Sequence, residues 1–304
     1  MSSNVDQQAS GRAGPNTAPN NYGPVIVDSA TYRLTLISES PPLPGAVEAL
    51  EPLTLREIGN SYIIDTPPTI SHLVDTLLSL PTTPPSLYLS ISGTSLGRPG
   101  ASISLLQLLV LPTNLTYLLD IHTLGATAFT TPGTLGRTLK SILEDAAIPK
   151  VFFDIRNTSS ALHATFAISL AGTHDIQLME LATRRRPRSK KFLHGIARCV
   201  ASDLALGAYE KRRLVEARGR GGRLFMPKYG GGEEVIDQRP VGEEVAGFVT
   251  LDLGFLPVLW GVYEERLGGG WRGRVRGETE RRVMESWREG YEGGRGRDRS
   301  FGPW

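Results

Sequence analysis

Three short apolar runs between Leu87 and Asp120 constrain the fold of this chain more than any other feature of the sequence. They occupy residues 87–92, Ser102–Val110 and Leu115–Asp120, and glycine or proline residues separate them. Short apolar runs bounded by such turn residues are typical of β-strands. The pattern therefore predicts a three-stranded meander.

Strand and helix patterns alternate on both sides of this meander. A β pattern at residues 61–64 leads into helical spacing through Leu80, and a second β run lies at residues 151–153. Helical spacing after the meander is carried by Leu135, Leu139, Ile142 and Leu143, and then by residues 159–166. From Asp175 the pattern is mostly helical to Glu289, with a Gly-rich interruption at residues 218–232 that we interpret as flexible linkers. A mixed sheet with helices on its faces, in the α/β class, is expected.

The two ends of the chain differ from this pattern. Residues 1–23 are mostly Ser, Asn, Gln, Gly, Ala and Pro, which bury too little apolar surface to repay the entropy of ordering, so they predict a disordered tail. Prolines interrupt the apolar stretches of residues 24–60, so we expect this segment to be an irregular lead-in to the domain that follows. Residues 268–304 predict a solvated charged helix followed by a disordered Gly/Arg-rich tail.

Cysteine content and hydropathy restrict the compartment. The one cysteine, Cys199, excludes an intramolecular disulfide framework and a cysteine-based zinc site. The apolar run at residues 103–111 is too short to span a bilayer, and no signal peptide is visible at the N-terminus. We expect an intracellular protein, in cytoplasm or nucleus, without a membrane partner.

Charge is unevenly distributed along the chain. The totals are 33 basic and 31 acidic residues, yet residues 184–228 contain 14 basic and 3 acidic ones. Phosphate backbones select such local positive charge, whereas a solvated loop or a nuclear-localisation signal is the alternative interpretation. The predicted nucleic-acid-binding residues are Arg184, Arg185, Arg186, Arg188, Lys190, Lys191 and Arg198.

Three segments resemble the motif segments of the ribonuclease D-like DEDD 3'-5' exonucleases. They read "SLYLSISGTSLGRPGASISLLQLLV", "KVFFDIRNTSSALHATFAISLAGTHDIQLMELATR" and "FVTLDLGFLPVLWGVYEERL". The resemblance covers residues 61–267 and is particularly close to a fungal group of 3'-5' exonuclease-domain proteins, in which "SKKFLHGIARCV" and "RPVGEEV" also have counterparts. It implies a ribonuclease H-like mixed sheet with flanking helices, the DEDD exonuclease fold, over these residues.

The resemblance also implies a two-metal site, whose residues are mostly substituted here. The family uses four carboxylates and a tyrosine that positions water. The Asp-x-Glu of the first segment falls on Ser90 and Ser92, the Asp of the second on Thr158, and the tyrosine of the third on Phe248. Of the four carboxylates, Asp252 remains.

These substitutions remove charge from the predicted metal site. A neutral hydroxyl is a weak ligand for Mg²⁺, which prefers carboxylates and water. We therefore expect two-metal catalysis to be absent or severely impaired. A rescue hypothesis places Asp154, Asp175 and Asp252 together as a relocated site for Mg²⁺ or Mn²⁺, although Asp175 is also suited to cap the helix that it begins.

Three functions follow from these observations. The first is a nucleic-acid-binding protein with a catalytically degenerate exonuclease-like domain, which takes RNA or DNA as a single strand. The second is an active metal-dependent 3'-5' exonuclease that uses the relocated carboxylates. The third is a protein-interaction scaffold.

Overall fold

A seven-stranded mixed sheet lies at the centre of the chain. The computed structural model describes residues 25–28, 33–36, 56–98, 100–185, 188–291, 293 and 300–304. Strands β1 (Val25–Asp28) and β2 (Arg33–Leu36) pair in a separate antiparallel sheet. The main sheet contains β3 (Arg56–Ile58), β4 (Ser61–Ile64), β5 (Leu87–Thr94), β6 (Ser102–Val110), β7 (Leu115–Asp120), β8 (Lys150–Phe152) and β9 (Thr173–Asp175).

The order of strands in the main sheet is β3-β4-β7-β6-β5-β8-β9. Strands β5, β6 and β7 are antiparallel neighbours, which confirms the predicted meander. Strand β4 runs parallel to β7, and β8 runs parallel to both β5 and β9. Strand β5 therefore lies inside the sheet, between β6 and β8.

Helices cover both faces of this sheet. They are α1 (Pro67–Leu78), α2 (Ile121–Leu124), α3 (Thr127–Thr130), α4 (Leu139–Leu143), α5 (Ile155–Phe166), α6 (Ile176–Thr183), α7 (Ile196–Asp203), α8 (Ala208–Leu224), α9 (Glu243–Leu251), α10 (Leu256–Arg266) and α11 (Gly269–Ser286). Short 3₁₀ turns lie at Pro227–Tyr229, Glu233–Asp237 and Leu253–Phe255.

Side chains alternate between the two faces of the sheet along each strand, so each face has its own hydrophobic core. Leu89 and Ile91 of β5 pack into the core that α1, α4 and α5 cover. Tyr88 packs into the opposite core, with α6 and α10. A third cluster joins α9 to β4, β6 and β7 on that same opposite face. Because side chains alternate along a strand, Ser90 and Ser92 share the face of Tyr88.

Two helix predictions were wrong in detail. Leu135 lies before α4 and is exposed, so it takes no part in that helix. The predicted linker glycines Gly219, Gly221 and Gly222 lie inside α8, which is continuous to Leu224. A glycine costs a helix about 1 kcal/mol relative to alanine, and tertiary packing overrides such a preference here.

The folded part of the chain extends beyond the region that resembles exonucleases. Strand β3 extends the sheet before residue 61, and the predicted tail at residues 1–23 lies outside the described residues. At the other end, Val275 and Val283 of α11 enter the two main cores. Arg282 is buried, so this charged helix is solvated on one side only.

One helical stretch, Glu243–Arg266, is long and apolar enough to cross a membrane, by length and composition alone. This differs from the expectation of no such segment. Within the fold, a 3₁₀ turn divides the stretch, and Leu256, Leu259 and Tyr263 are buried in the core shared with α6. Core packing accounts for its apolar composition.

Candidate functional site: a cleft with few acidic groups

Strand β5 forms the floor of a cleft on the sheet face opposite α1. Ser90 and Ser92, two residues apart, line one cavity of about 310 Å³ and are half-buried. The strand has an irregular register between Ser92 and Gly93, where a Cβ on Gly93 would lie 2.0 Å from the carbonyl oxygen of Ser102. Glycine is required there, because its absent side chain lets β6 approach.

Helix α5 brings the second motif position to the same cleft. Ser90 also lines an adjoining cavity of about 490 Å³, together with Thr158 and Asp154. Asp154 precedes α5 with φ of 57°. Thr158 follows in the first turn of that helix, and its hydroxyl is the group at the predicted aspartate position.

Helix α9 provides the third motif segment. Phe248 and Asp252 line the smaller cavity with the two serines. The ring of Phe248 packs against Phe225, with ring centres 5.2 Å apart. A Cβ on Gly221 of α8 would lie 2.2 Å from the Phe248 ring, so the missing side chain of Gly221 makes room for it. The predicted motif positions therefore line one cleft that consists of two adjoining cavities, with Ser90 in both of them.

Asp252, the remaining motif carboxylate, is held by an arginine. Arg218 of α8 donates from Nε at 3.1 Å and from Nη2 at 2.5 Å to Asp252 Oδ1. Sequence reasoning missed this residue as a site residue. The sequence shows Arg218 as one of the basic residues of the stretch 184–228. It does not show the pairing with Asp252, because the two residues are 34 positions apart along the chain.

A second arginine fixes the wall of the cleft beside β6. Ile236 lines the cleft, and Arg239 of the same segment donates to both carboxylate oxygens of Asp120, at 2.6 Å each. Burial alone raises the pKa of Asp120, but hydrogen bonds from Arg239 and Thr123 outweigh it, so the pKa lies below its ordinary value. This ion pair fastens the segment to the end of β7.

Arginines also hold the other two carboxylates of the rescue hypothesis. Arg156 donates to Asp154 at 2.6 and 2.8 Å. Asp175 is buried, pairs with Arg282 at 2.6 Å and accepts from the Gln177 amide at the start of α6. The predicted capping role of Asp175 is confirmed.

The residues present do not fit a pair of divalent ions. Within the described residues, no group of three or more His, Cys, Asp or Glu side chains is arranged to hold a metal ion. Of the four positions that the resemblance assigns to carboxylates, Ser90, Ser92 and Thr158 carry hydroxyls, and Asp252 pairs with Arg218. Two Mg²⁺ ions would gain few anionic ligands here for the hydration that they lose.

Two of the predicted nucleic-acid-binding residues have structural roles. Arg184 is buried, and its guanidinium binds both carboxylate oxygens of Glu180 at 2.8 and 2.6 Å. Lys190 donates to the carbonyl oxygens of Leu181 and Ala182 at the end of α6, and burial lowers its pKa. Both side chains already have partners within the fold, and their binding to nucleic acid stays a prediction.

The other predicted basic residues remain at the surface. Arg185, Lys191 and Arg198 are exposed, and Arg188 is 60% exposed although it lies 3.4 Å from Asp203. Arg186 lies outside the described residues. Lys191 and Arg198 flank residues 193–195, which line the cavity that contains Thr158. Part of the predicted basic stretch therefore lies next in sequence to residues that line the cleft.

Comparison with known proteins places this fold. No family model and no curated protein matches the sequence. Among solved structures, Trypanosoma brucei RNase D with GMP has a TM-score of 0.60 and 21% identity, over 74% of this chain and 64% of that one. The same enzyme with RNA U12 has a TM-score of 0.58 and 20% identity, over 74% and 70%.

A bacterial enzyme gives the same result. Escherichia coli RNase D, an exoribonuclease involved in structured RNA processing, has a TM-score of 0.52 and 18% identity, over 75% of this chain and 51% of that one. The chain thus spans about half of that enzyme and under two thirds of the GMP-bound one. At these identities the likeness establishes the fold, and this chain has the ribonuclease H-like fold of the DEDD 3'-5' exonuclease domains, as its motif segments imply.

Proposed function

We propose that this chain binds nucleic acid through a 3'-5' exonuclease-like domain whose nuclease centre has lost its metal sites. The observation that carries the proposal is the meeting of Ser90, Ser92, Thr158 and Asp252 in one cleft, with Asp252 held by Arg218. The shape of an exonuclease cleft is thus combined with residues that cannot hold two metal ions.

The charge of the cleft supports binding without metal. Several unpaired carboxylates in a cleft would repel a phosphate unless metal ions neutralised them. Here Ser90, Ser92 and Thr158 offer neutral hydroxyls, which hydrogen-bond to phosphate oxygens in many nucleic-acid complexes. The Arg218 guanidinium offsets the charge of Asp252. A backbone phosphate can therefore enter without an unfavourable field.

Basic residues near the cleft and one structural neighbour support nucleic acid as the ligand class. Lys191 and Arg198 are exposed and lie within three residues, along the chain, of residues 193–195 that line the cleft, so they add positive charge to this segment. A structural neighbour with the same fold was solved with RNA U12. The arginine pairs on Asp154 and Asp175 argue against the active exonuclease with relocated carboxylates.

The test combines binding and nuclease measurements on the full chain. A labelled 12-nucleotide RNA or DNA is titrated at about 50 and 200 mM salt, and three or more phosphate contacts predict binding weaker by about 20-fold or more at the higher salt. The same oligonucleotide is then incubated with Mg²⁺ or Mn²⁺, and we expect no shortening from its 3' end.

Two outcomes would contradict this proposal. Shortening of the oligonucleotide that Asp252→Ala abolishes would establish the active exonuclease. Absence of binding at both salt concentrations, together with recovery of a stable protein partner, would favour the scaffold. If the Asp252→Ala variant still shortens the oligonucleotide, the activity is attributed to a contaminating nuclease. The nuclease measurement is then repeated on repurified protein.

A further inference from the structure

Helix α8 presents a row of arginines on the side away from the core. Leu214 and Gly221 face inward and are buried, whereas Arg212, Arg220 and Arg223 are exposed. At 3.6 residues per turn, these three arginines fall on one side of the helix. The row is distinct from the cleft, which α8 enters through Arg218.

The charge of this row is only partly offset within the fold: Glu216 is exposed on the same side of α8, four residues from both Arg212 and Arg220, and leaves the row with a net positive charge. Within the part of the chain that the structure describes, no acidic side chain pairs with Arg212, Arg220 or Arg223, in contrast to Arg218 and Asp252. The carboxylate of Glu210, on the same helix, accepts from the Gly207 amide. Repulsion within such a row is relieved when a polyanion binds.

An exposed tyrosine lies near each end of α8. Tyr209, in the first turn, is 55% exposed, and the guanidinium carbons of Arg212 and Arg213 lie 5.9 and 5.8 Å from its ring centre. Tyr229, just after the helix, is 55% exposed and has Arg223 and Lys228 at 5.5 and 4.8 Å. Each tyrosine is thus more than half exposed and has two cations within about 6 Å of its ring centre.

We propose that the α8 track, defined as Tyr209, Arg212, Arg220, Arg223 and Tyr229, binds single-stranded nucleic acid. Bases stack on the two tyrosine rings, and phosphates bind the arginines between them. This inference rests on the proposed function and adds a surface outside the cleft and a requirement for unpaired bases. A flat ring reaches the face of a base only where that base is unpaired.

The dimensions of the track suit a short strand. Helix α8 has 17 residues, which corresponds to about 25 Å. A stacked strand with a rise of 3.4 Å per nucleotide covers that length in about seven nucleotides. A 12-nucleotide strand is therefore long enough to contact both tyrosines.

The composition of α8 favours nucleic acid over a lipid surface. A helix that lies in a membrane interface needs a continuous apolar face directed at the lipid. The apolar Leu214 of α8 is buried in the core of this domain, and Val215 is the large aliphatic side chain exposed within the helix. The outward side therefore has cations and rings without an apolar face.

Substitution of the tyrosines tests stacking. The proteins are the wild type, Tyr209→Ala, Tyr229→Ala and the double variant, with Tyr209→Phe and Tyr229→Phe as matched controls that keep the ring. We expect each alanine variant to bind a 12-nucleotide strand about 10-fold more weakly, because stacking of a base on an aromatic ring has this order of effect. The phenylalanine variants should stay within about twofold of wild type.

Substitution of the arginines tests the phosphate contacts. In Arg212→Gln/Arg220→Gln/Arg223→Gln, the slope of log affinity against log salt should fall by about 2, since each contact contributes about 0.7 on a single strand. The matched control is Arg272→Gln/Arg274→Gln/Arg276→Gln on α11, which removes three exposed arginines outside the track. Its slope should equal that of wild type.

The outcomes separate the two proposals. If the wild type binds the strand and the tyrosine variants bind equally well, the α8 track is wrong while the proposed function stands. If the wild type binds no strand even at about 50 mM salt, both are wrong. If the alanine variants lose binding to phosphatidylserine vesicles but still bind the strand, the track binds a membrane surface and the inference is overturned. Thermal unfolding of every variant confirms that it is folded.

Discussion

Single residues decide whether this cleft can hold metal. Ser90, Ser92 and Thr158 keep the space of the motif positions but bring no charge, and Arg218 neutralises Asp252. The Asp252 and Arg218 side chains are 43% and 22% exposed, so solvent screens their attraction and the pair contributes little to stability. Arg218 therefore changes the net charge of the cleft at Asp252 rather than the stability of the fold.

Restoring the carboxylates tests these residue assignments. We expect Ser90→Asp/Ser92→Glu/Thr158→Asp to bind Mn²⁺, because three carboxylates then join Asp252 in one cleft. Calorimetry and thermal unfolding both measure Mn²⁺ binding. An ion present at a concentration 100 times its Kd stabilises the fold by about 2.7 kcal/mol. The uncharged control is Ser90→Asn/Ser92→Gln/Thr158→Asn, which should bind no Mn²⁺. A folded acidic variant that binds no metal would show that these are not the metal positions.

At the scale of elements, α8 links the core to the cleft. It has three glycines, a composition that predicts a linker, yet the helix persists because Leu214 and Gly221 pack inward. Gly221 lies against the base of the Phe248 side chain, where an added Cβ would approach Phe248 Cβ to 2.7 Å. Gly222, its neighbour, has no atom within 4 Å of such a Cβ.

The two adjacent glycines should therefore respond in opposite ways to alanine. Gly221→Ala should lower the free energy of unfolding by about 1–3 kcal/mol, because the methyl group overpacks against Phe248. Gly222→Ala should raise it by about 0.5–1 kcal/mol, since alanine favours the helix and finds open space. Urea denaturation measures both. Similar stabilisation by both substitutions would mean that α8 does not contact α9 in this way.

At the scale of the whole molecule, α11 closes the fold from its C-terminal side. Arg282 reaches Asp175, which also accepts from the amides of Asp154 and Ile155 at the start of α5. One buried carboxylate thus joins β9, α5 and α11. The neighbouring Arg281 is exposed and pairs with Glu278 and Glu285 on its own helix.

Adjacent arginines on α11 test this closure. Arg282→Gln should lower the free energy of unfolding by about 3 kcal/mol, because it leaves a charge buried without its partner. Arg281→Gln removes the same charge at the surface and should change the free energy of unfolding by less than about 1 kcal/mol. Thermal or urea unfolding compares the two variants. Equal effects would show that α11 is not fastened to the domain through Asp175.

Local sequence was sufficient for five strands of the main sheet, β4 to β8, and for the residues that line the cleft, but it missed β9 and also β3, which lies in the predicted irregular lead-in. The meander was predictable because apolar side chains recur along a strand and turn residues separate the runs, and the cleft residues were predictable because they belong to short contiguous motifs. The roles of the arginines were not. Arg184, Arg218 and Arg282 carry the same charge, but each has a different role because its partner and its burial differ.

The reason is the distance along the chain between interacting groups. Arg218 meets Asp252 across 34 positions, and Arg282 meets Asp175 across 107. A sequence specifies the charge of a side chain, whereas folding decides which charges are buried and paired. The sequence by itself determined the fold class and the residues that line the cleft, and it predicts that the motif positions lack carboxylates. The tertiary structure decided which basic residues support the fold, which one neutralises Asp252, and which remain free to meet a ligand.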